Sequence, residues 1–272
     1  MSELLKRRLR VWPLVLMATA LCVSASVSYG QKSGGKIGQD AGRAFPVDGR
    51  VALASLIALS DGHLQKMADS LRLVAATDAA RSADWEKIKG PLSEVEKINV
   101  PALIWFALPD GSFWTAQEGR SRESLATRPY FPRVLAGQTV IGDLVVSKTT
   151  GKSVAIIAVP ILRRDKSVAG ALGCSVYLDK LSALLEQEMD LDSSVIFYSF
   201  DAAPLLALVW DPGLIFVEPK KLGEEVSRAF TEMLSKEQGI VKYKFRGESR
   251  TVLYRKSPLT GWRYAFGLVE SE

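Results

Sequence analysis

Few side chains in this sequence are suited to catalysis. Its one histidine, His63, falls inside a helical pattern and reads as a helix-surface residue, although imidazole is the side chain that most readily moves protons near neutral pH. Without a second histidine or a cysteine cluster, no ordinary zinc site can be assembled. Ser-His-Asp catalysis would have to use His63, and no Gly-x-Ser-x-Gly elbow is present. No Gly-rich phosphate loop of the P-loop pattern occurs. The carboxylate pair Glu224-Glu225 sits on a predicted solvated helix and is a weak acid–base candidate. The expectation is a protein that is not an enzyme and carries no cofactor and no metal.

The residues do offer a binding constellation. Trp105, Trp114, Tyr130 and Phe131 supply aromatic walls, and Arg128 supplies a planar cation. A guanidinium in an aromatic pocket suits a carboxylate, which it can hold through two parallel hydrogen bonds. Core packing is the competing account of each aromatic ring taken singly, and a surface salt bridge that of Arg128.

The elements that would position these groups follow from periodicity. Asp48 is placed to cap a helix. Leu53, Leu56, Ile57, Leu64, Met67, Leu71 and Val74 recur at spacings of three, four and seven, which gives a helix to about Ala79 one apolar face. That face packs on a sheet, or in part on a second copy of the chain as a homodimer. A short helix is predicted at Trp85–Ile88, stopped by Gly90-Pro91. Strands are predicted at Ala102–Ala107 and, after the turn Pro109-Asp110-Gly111-Ser112, at Phe113–Thr115. A polar loop then leads to Arg128-Pro129-Tyr130-Phe131 and a short helical stretch ending near Gly137. Further strands are expected at Asp143–Ser147, Val154–Pro160 and Ala169–Tyr177, and a helical connector from Asp179 to Asp192. The pattern repeats on a smaller scale, with strands at Ser194–Phe200 and Leu205–Trp210, a helix at Leu222–Lys236, and strands at Val241–Phe245, Thr251–Tyr254 and Gly261–Phe266. This is an α+β chain with two antiparallel modules.

The N-terminus reads as an export signal. Lys6, Arg7, Arg8 and Arg10 precede an apolar stretch from Val11, and Ser28-Tyr29-Gly30 offers small residues for cleavage before Gln31, with Val23-Ser24-Ala25 as an alternative. The competing reading is an uncleaved anchor, because Val11 to Gln31 holds 21 residues without charge, about enough to span a bilayer. Leu21 before Cys22 is too large for a lipid-modified terminus. Either way the body is expected in the periplasm or otherwise outside the cytoplasm. After cleavage only Cys174 remains, so the fold must rest on packing, for which 242 residues are ample. Residues 31–46, with four glycines among polar residues, read as a flexible leader. Of the net charge of +5, residues 1–30 contribute +3 and the other 242 only +2. Nucleic-acid binding, which needs a basic face on the folded domain, loses its support. Lys220, Lys221, Arg246 and Lys256 form either a solvated face or a contact to a membrane or acidic partner.

The sequence resembles the double Cache family of extracytoplasmic sensor domains. The resemblance is carried by Pro109-Asp110-Gly111, Arg128-Pro129-Tyr130-Phe131, Ser147-Lys148-Thr149-Thr150-Gly151-Lys152, Ala158-Val159-Pro160 and Gly170-Ala171-Leu172-Gly173. Gly239-Ile240-Val241 and Thr260-Gly261-Trp262 complete it. It implies a long N-terminal helix supporting two PAS-like modules: residues 47–80 for the helix, 81–181 for a membrane-distal module that binds ligand, and 182–272 for a membrane-proximal one. Members that bind amino acids carry an Arg-x-Trp-Tyr motif and a later Asp that pairs with the ligand's ammonium. Here Arg128 fits the arginine, Tyr130 stands for the Trp, Phe131 for the Tyr, and Ser175 for the Asp. Losing that anion removes the group that offsets ammonium desolvation, so the expected ligand is a small carboxylate or other polar organic compound. The chain stops at Glu272 without the second transmembrane helix of such receptors. Output is therefore expected through a membrane receptor, kinase or transporter as partner. The alternative is a docking protein with a vestigial pocket.

Overall fold

The computed structural model describes residues 48–191 and 194–270. The expected signal peptide or anchor at 1–30 and the leader at 31–46 lie outside them. No helix among the described residues is long and apolar enough to cross a membrane.

Helix α1 (Gly49–Ala75) starts where Asp48 accepts a hydrogen bond from the Arg50 amide, and it buries Leu53, Leu56, Ile57, Leu64, Met67 and Leu71. Each such side chain contributes about 1.5–3 kcal/mol relative to exposure. The helix ends before the expected Ala79 because Thr77 starts a new turn, α2 (Asp78–Arg81), by accepting from the Ala80 amide. Helix α3 (Trp85–Lys97) runs straight through Pro91, where a stop was expected. An interior proline costs a helix ~3 kcal/mol or more, but Ile88, Leu92 and Val95 are all buried on one face, and their burial exceeds that cost.

The first sheet contains β1 (Ala102–Ala107), β2 (Ser112–Thr115), β3 (Gly119–Ser124), β4 (Val140–Val146), β5 (Ser153–Leu162) and β6 (Val168–Tyr177), with the one-turn helix α4 (Phe131–Leu135) between β3 and β4. Its order is β3-β2-β1-β6-β5-β4. β3 replaces the expected polar loop. It is an edge strand of polar and charged residues, mostly exposed, and this composition is how exposed sheet edges avoid pairing with other chains. Helix α5 (Leu178–Met189) stops at Asp190, which is left-handed at φ 49°, a little short of the expected Asp192.

The second sheet contains β7 (Val195–Phe200), β8 (Leu206–Val209), β9 (Gln238–Phe245), β10 (Glu248–Lys256) and β11 (Arg263–Glu270), with helix α6 (Glu224–Ser235) before β9. Its order is β8-β7-β11-β10-β9. Counted within each module this is 2-1-5-4-3, and the first sheet has the same order with β3 added at its edge. The expected architecture, a long helix carrying two PAS-like antiparallel modules, is what the chain forms.

A single apolar core lies on the helix side of both sheets, joining α1, α3 and α5 to Ile104, Phe106, Ile157 and Cys174 of one and Phe197, Tyr264 and Phe266 of the other. Burial pushes the Cys174 thiol well above its ordinary pKa, so it is an inert packing group. The opposite face of each sheet has its own smaller core. The Trp262 indole donates to the Gly142 carbonyl at 3.0 Å, linking β11 to β4. His63 meets Glu188 at 2.9 Å and ties α1 to α5. Lys220 and Lys221 pair with Glu218, Arg246 with Asp211 and Lys256 with Glu237, which is the arrangement of a solvated face.

Polar contacts also fix α1 to the second sheet. Ser257 donates to Asp61 at 2.6 Å, Tyr264 reaches the same carboxylate at 3.4 Å, and Ser60 bonds the Tyr264 hydroxyl at 2.7 Å. Burial raises the Asp61 pKa above its ordinary 3.8 despite these donors. A raised native pKa means the folded state holds its proton longer, so this stabilising contribution is present at low pH and is lost as pH rises through the native value. The melting temperature of the wild type minus that of Asp61→Asn is therefore expected to fall as pH rises above the ordinary carboxylate pKa of about 4. Thermal melts followed by circular dichroism check this, and a flat difference would assign the raised pKa no part in stability.

Candidate functional site

Alternation along the strands decides which groups can face a ligand. On β1 and β6, Trp105 lies opposite Gly173 and Leu103 opposite Ser175, so these residues share the face turned away from α1. Leu103, Trp105, Ser175 and Ile156 floor a pocket there. Its roof is formed by Leu125, Arg128 and Tyr130 from the connection between β3 and β4, and by Ser147, Lys148 and Thr149 from the turn after β4.

Four of the six residues expected at the site are brought together here: Arg128, Tyr130, Trp105 and Ser175. Phe131 is buried in the core beneath the roof without lining the pocket. Trp114 faces the other way: it pairs with Phe106 across the hairpin and stacks on that ring at 5.6 Å, beside the helix-side core. The aromatic that β2 does supply is Phe113, which pairs with Ala107 and lines the pocket. The same period-two alternation that identifies the strand would have selected it. Lys148, which sequence reasoning did not single out for binding, is a further pocket residue.

Two polar ties close the roof. Arg128 Nη2 donates to the Val146 carbonyl at 2.7 Å. Lys148 Nζ donates to the Ser124 carbonyl at 3.0 Å and to Thr127 Oγ1 at 3.1 Å. Burial raises the Tyr130 pKa, with Arg128 opposing the shift, so its hydroxyl stays protonated and able to donate. Among the described residues no carboxylate lines the pocket. Its charged groups are two cations, and its walls carry the hydroxyls of Ser175 and Tyr130. The free volume is ≈ 20 Å³, little more than the ~10–15 Å³ that one water needs.

Trp105 accounts for much of that filling. Gly173 lies under its ring, and a Cβ built at residue 173 would come within 2.2 Å of it. The glycine is therefore a steric requirement: only a residue without Cβ lets the indole lie across β6. Among the described residues no cluster of three or more His, Cys, Asp or Glu side chains forms that could hold a metal ion.

No family model matches the sequence, and no curated protein sequence matches it. Solved structures do match in shape. The extracellular ligand binding receptor from Desulfohalobium retbaense superposes with a TM-score of 0.65 at 12% identity over 82% of this chain, which spans 40% of that longer protein. The ligand-binding domain of Pseudomonas fluorescens chemoreceptor CtaA, in complex with L-alanine, gives 0.64 at 13% identity over 82% of this chain and 96% of its own. The ligand-binding domain of the Pseudomonas aeruginosa amino acid chemoreceptor PctB, in complex with L-Arg, gives 0.62 at 14% over 80% and 92%. The chain has the double Cache fold. The six-stranded module contains the pocket with Arg128, and its strand order without β3 recurs in the five-stranded module.

Replacing Gly173 by Ala should displace the Trp105 ring and cost ~1–3 kcal/mol, as overpacking a filled core does. Urea unfolding measures the loss, and an unchanged midpoint would show that the indole does not depend on this contact.

Proposed function

We propose that this chain is an extracytoplasmic sensor module that binds a small carboxylate, or another polar organic compound with an anionic group, in the six-stranded module. In this reading it is exported by residues 1–30 and signals through a separate membrane receptor, kinase or transporter. The observation that carries the reading is the composition of the pocket: Arg128 and Lys148 with no acidic residue among the lining groups. Arg128 uses one nitrogen on the Val146 carbonyl, which leaves other donors of its fork for a ligand carboxylate. Ser175, without charge, offers an ammonium group no counter-ion, and an unpaired buried charge is costly. This argues against a free α-amino acid, although the chemoreceptor domains of the same fold are described with L-alanine and L-Arg. Binding requires the roof to lift, since the free volume is only ≈ 20 Å³, and a moving roof is the kind of change a partner can read.

That small volume also favours a second reading, in which the pocket is vestigial and the fold serves as a docking surface. The two separate in a thermal-shift screen of residues 31–272 against organic acids, amino acids, amines and nucleobases. A ligand at ~100 times its dissociation constant that binds only the native state adds about 2.7 kcal/mol. We expect a carboxylate to give such a shift and Arg128→Ala to abolish it while leaving the melting temperature of the free protein within a few degrees. A folded protein that responds to no class of ligand would support the docking reading. Recovery of an amino acid from the purified protein would overturn the proposed ligand class.

A further inference from the structure

The five-stranded module has a pocket of its own in the corresponding place, under the connection between its second and third strands. Alternation along β10 turns Arg250, Val252 and Tyr254 to the face away from α1. Arg250 is 4% exposed. Its Nη2 donates to Glu248 at 3.2 Å, whereas Nε and Nη1 are buried without any hydrogen-bond partner. The rings of Phe245 and Trp210 lie 4.7 and 4.9 Å from the guanidinium carbon. Aromatic rings stabilise a cation through the faces of the guanidinium. They do nothing for the N–H groups, which lie in its plane and need acceptors.

Among the described residues lining this pocket the side-chain oxygens that could accept are the hydroxyls of Tyr198 and Tyr243, and neither forms a hydrogen bond with Nε or Nη1. The pocket it lines is otherwise apolar except for Tyr198 and Tyr243. The Tyr243 hydroxyl donates to that of Tyr198 at 3.0 Å, and Tyr198 in turn points to the Met233 sulfur at 3.9 Å. The roof is the segment 211–223, with two single 3₁₀ turns, Pro212–Leu214 and Pro219–Lys221. It includes Phe216 in the left-handed region at φ 62°. Asp211 at its start is held by Arg246 at 3.0 Å. Leaving a buried charged donor without an acceptor is among the costlier defects a fold can carry.

We propose that the five-stranded module holds a second anion site, in which Arg250, between Trp210 and Phe245, receives a small monocarboxylate under the 211–223 segment. The free volume in the closed form is ≈ 10 Å³, about one water, so the carboxylate enters as the roof lifts and is limited to a few heavy atoms. This site does not depend on the pocket with Arg128, and it stands if that pocket proves empty.

The test uses the protein carrying Arg128→Ala, so that the first pocket cannot contribute. Sodium acetate, propionate and pyruvate are titrated against sodium chloride at equal ionic strength, with melting temperature and tryptophan fluorescence as readouts. A saturable response to at least one carboxylate is expected. Adding Arg250→Lys should weaken it at least tenfold, because an ammonium cannot reproduce the planar fork. Adding Trp210→Phe should remove most of the fluorescence change and keep the thermal shift, a result that needs no substitution of the buried arginine. No saturable response in the Arg128→Ala protein would overturn the proposal. So would a response that both Arg250→Lys and Trp210→Phe leave intact.

Discussion

Both sheets lean on the same row of side chains along α1, and this shared core constrains everything else. Leu53 to Ala75 on one helix must satisfy two sheets at once, so the helix-facing side of both is mostly apolar and filled, apart from the Ser60, Asp61, Tyr264 and Ser257 contacts. Interiors at this density leave little space on that side. Polar chemistry is thereby assigned to the outer faces, where each sheet meets only a short helix and irregular chain. Arg128, Ser175 and Arg250 all lie there.

Period and run length made most of this architecture legible. The α1 stripe and the apolar runs of β1, β5 and β6 are long and consistent, and each lies within a few residues of where the sequence placed it. The failures have separate causes. β3 has no apolar residue from Gly119 to Ser124, because an edge strand can be held by backbone pairing alone. α3 continues past Pro91 because tertiary burial outweighs a local rule. At the site, Trp114 and Phe113 differ by one residue and therefore by one face. Composition could nominate an aromatic wall but could not choose between neighbours without the register. Lys148 carries no periodic signal, since it enters the pocket from a turn.

The two modules solve the same packing problem differently. In the first, an uncharged indole fills the hollow and a glycine beneath it makes the fit possible, while the cations stay near the rim. In the second, the cation itself is buried on the sheet, with rings beside it and a single carboxylate on one nitrogen. Identical strand order does not fix where charge is placed; the lengths and contents of the connections over each sheet do.

The bond between Trp262 and Gly142 has a mechanical consequence. It joins the start of β11 to an irregular point of β4, where the register shifts between Ile141 and Asp143. Gly142 has φ 92°, and a Cβ there would press on Thr260 at 3.0 Å. The contact is thus close, directional and short, located beside a groove bordered by both modules. A tie of this kind resists sliding far more than turning. The two sheets therefore keep one fixed point of contact at Gly142, beside the helix core that they share.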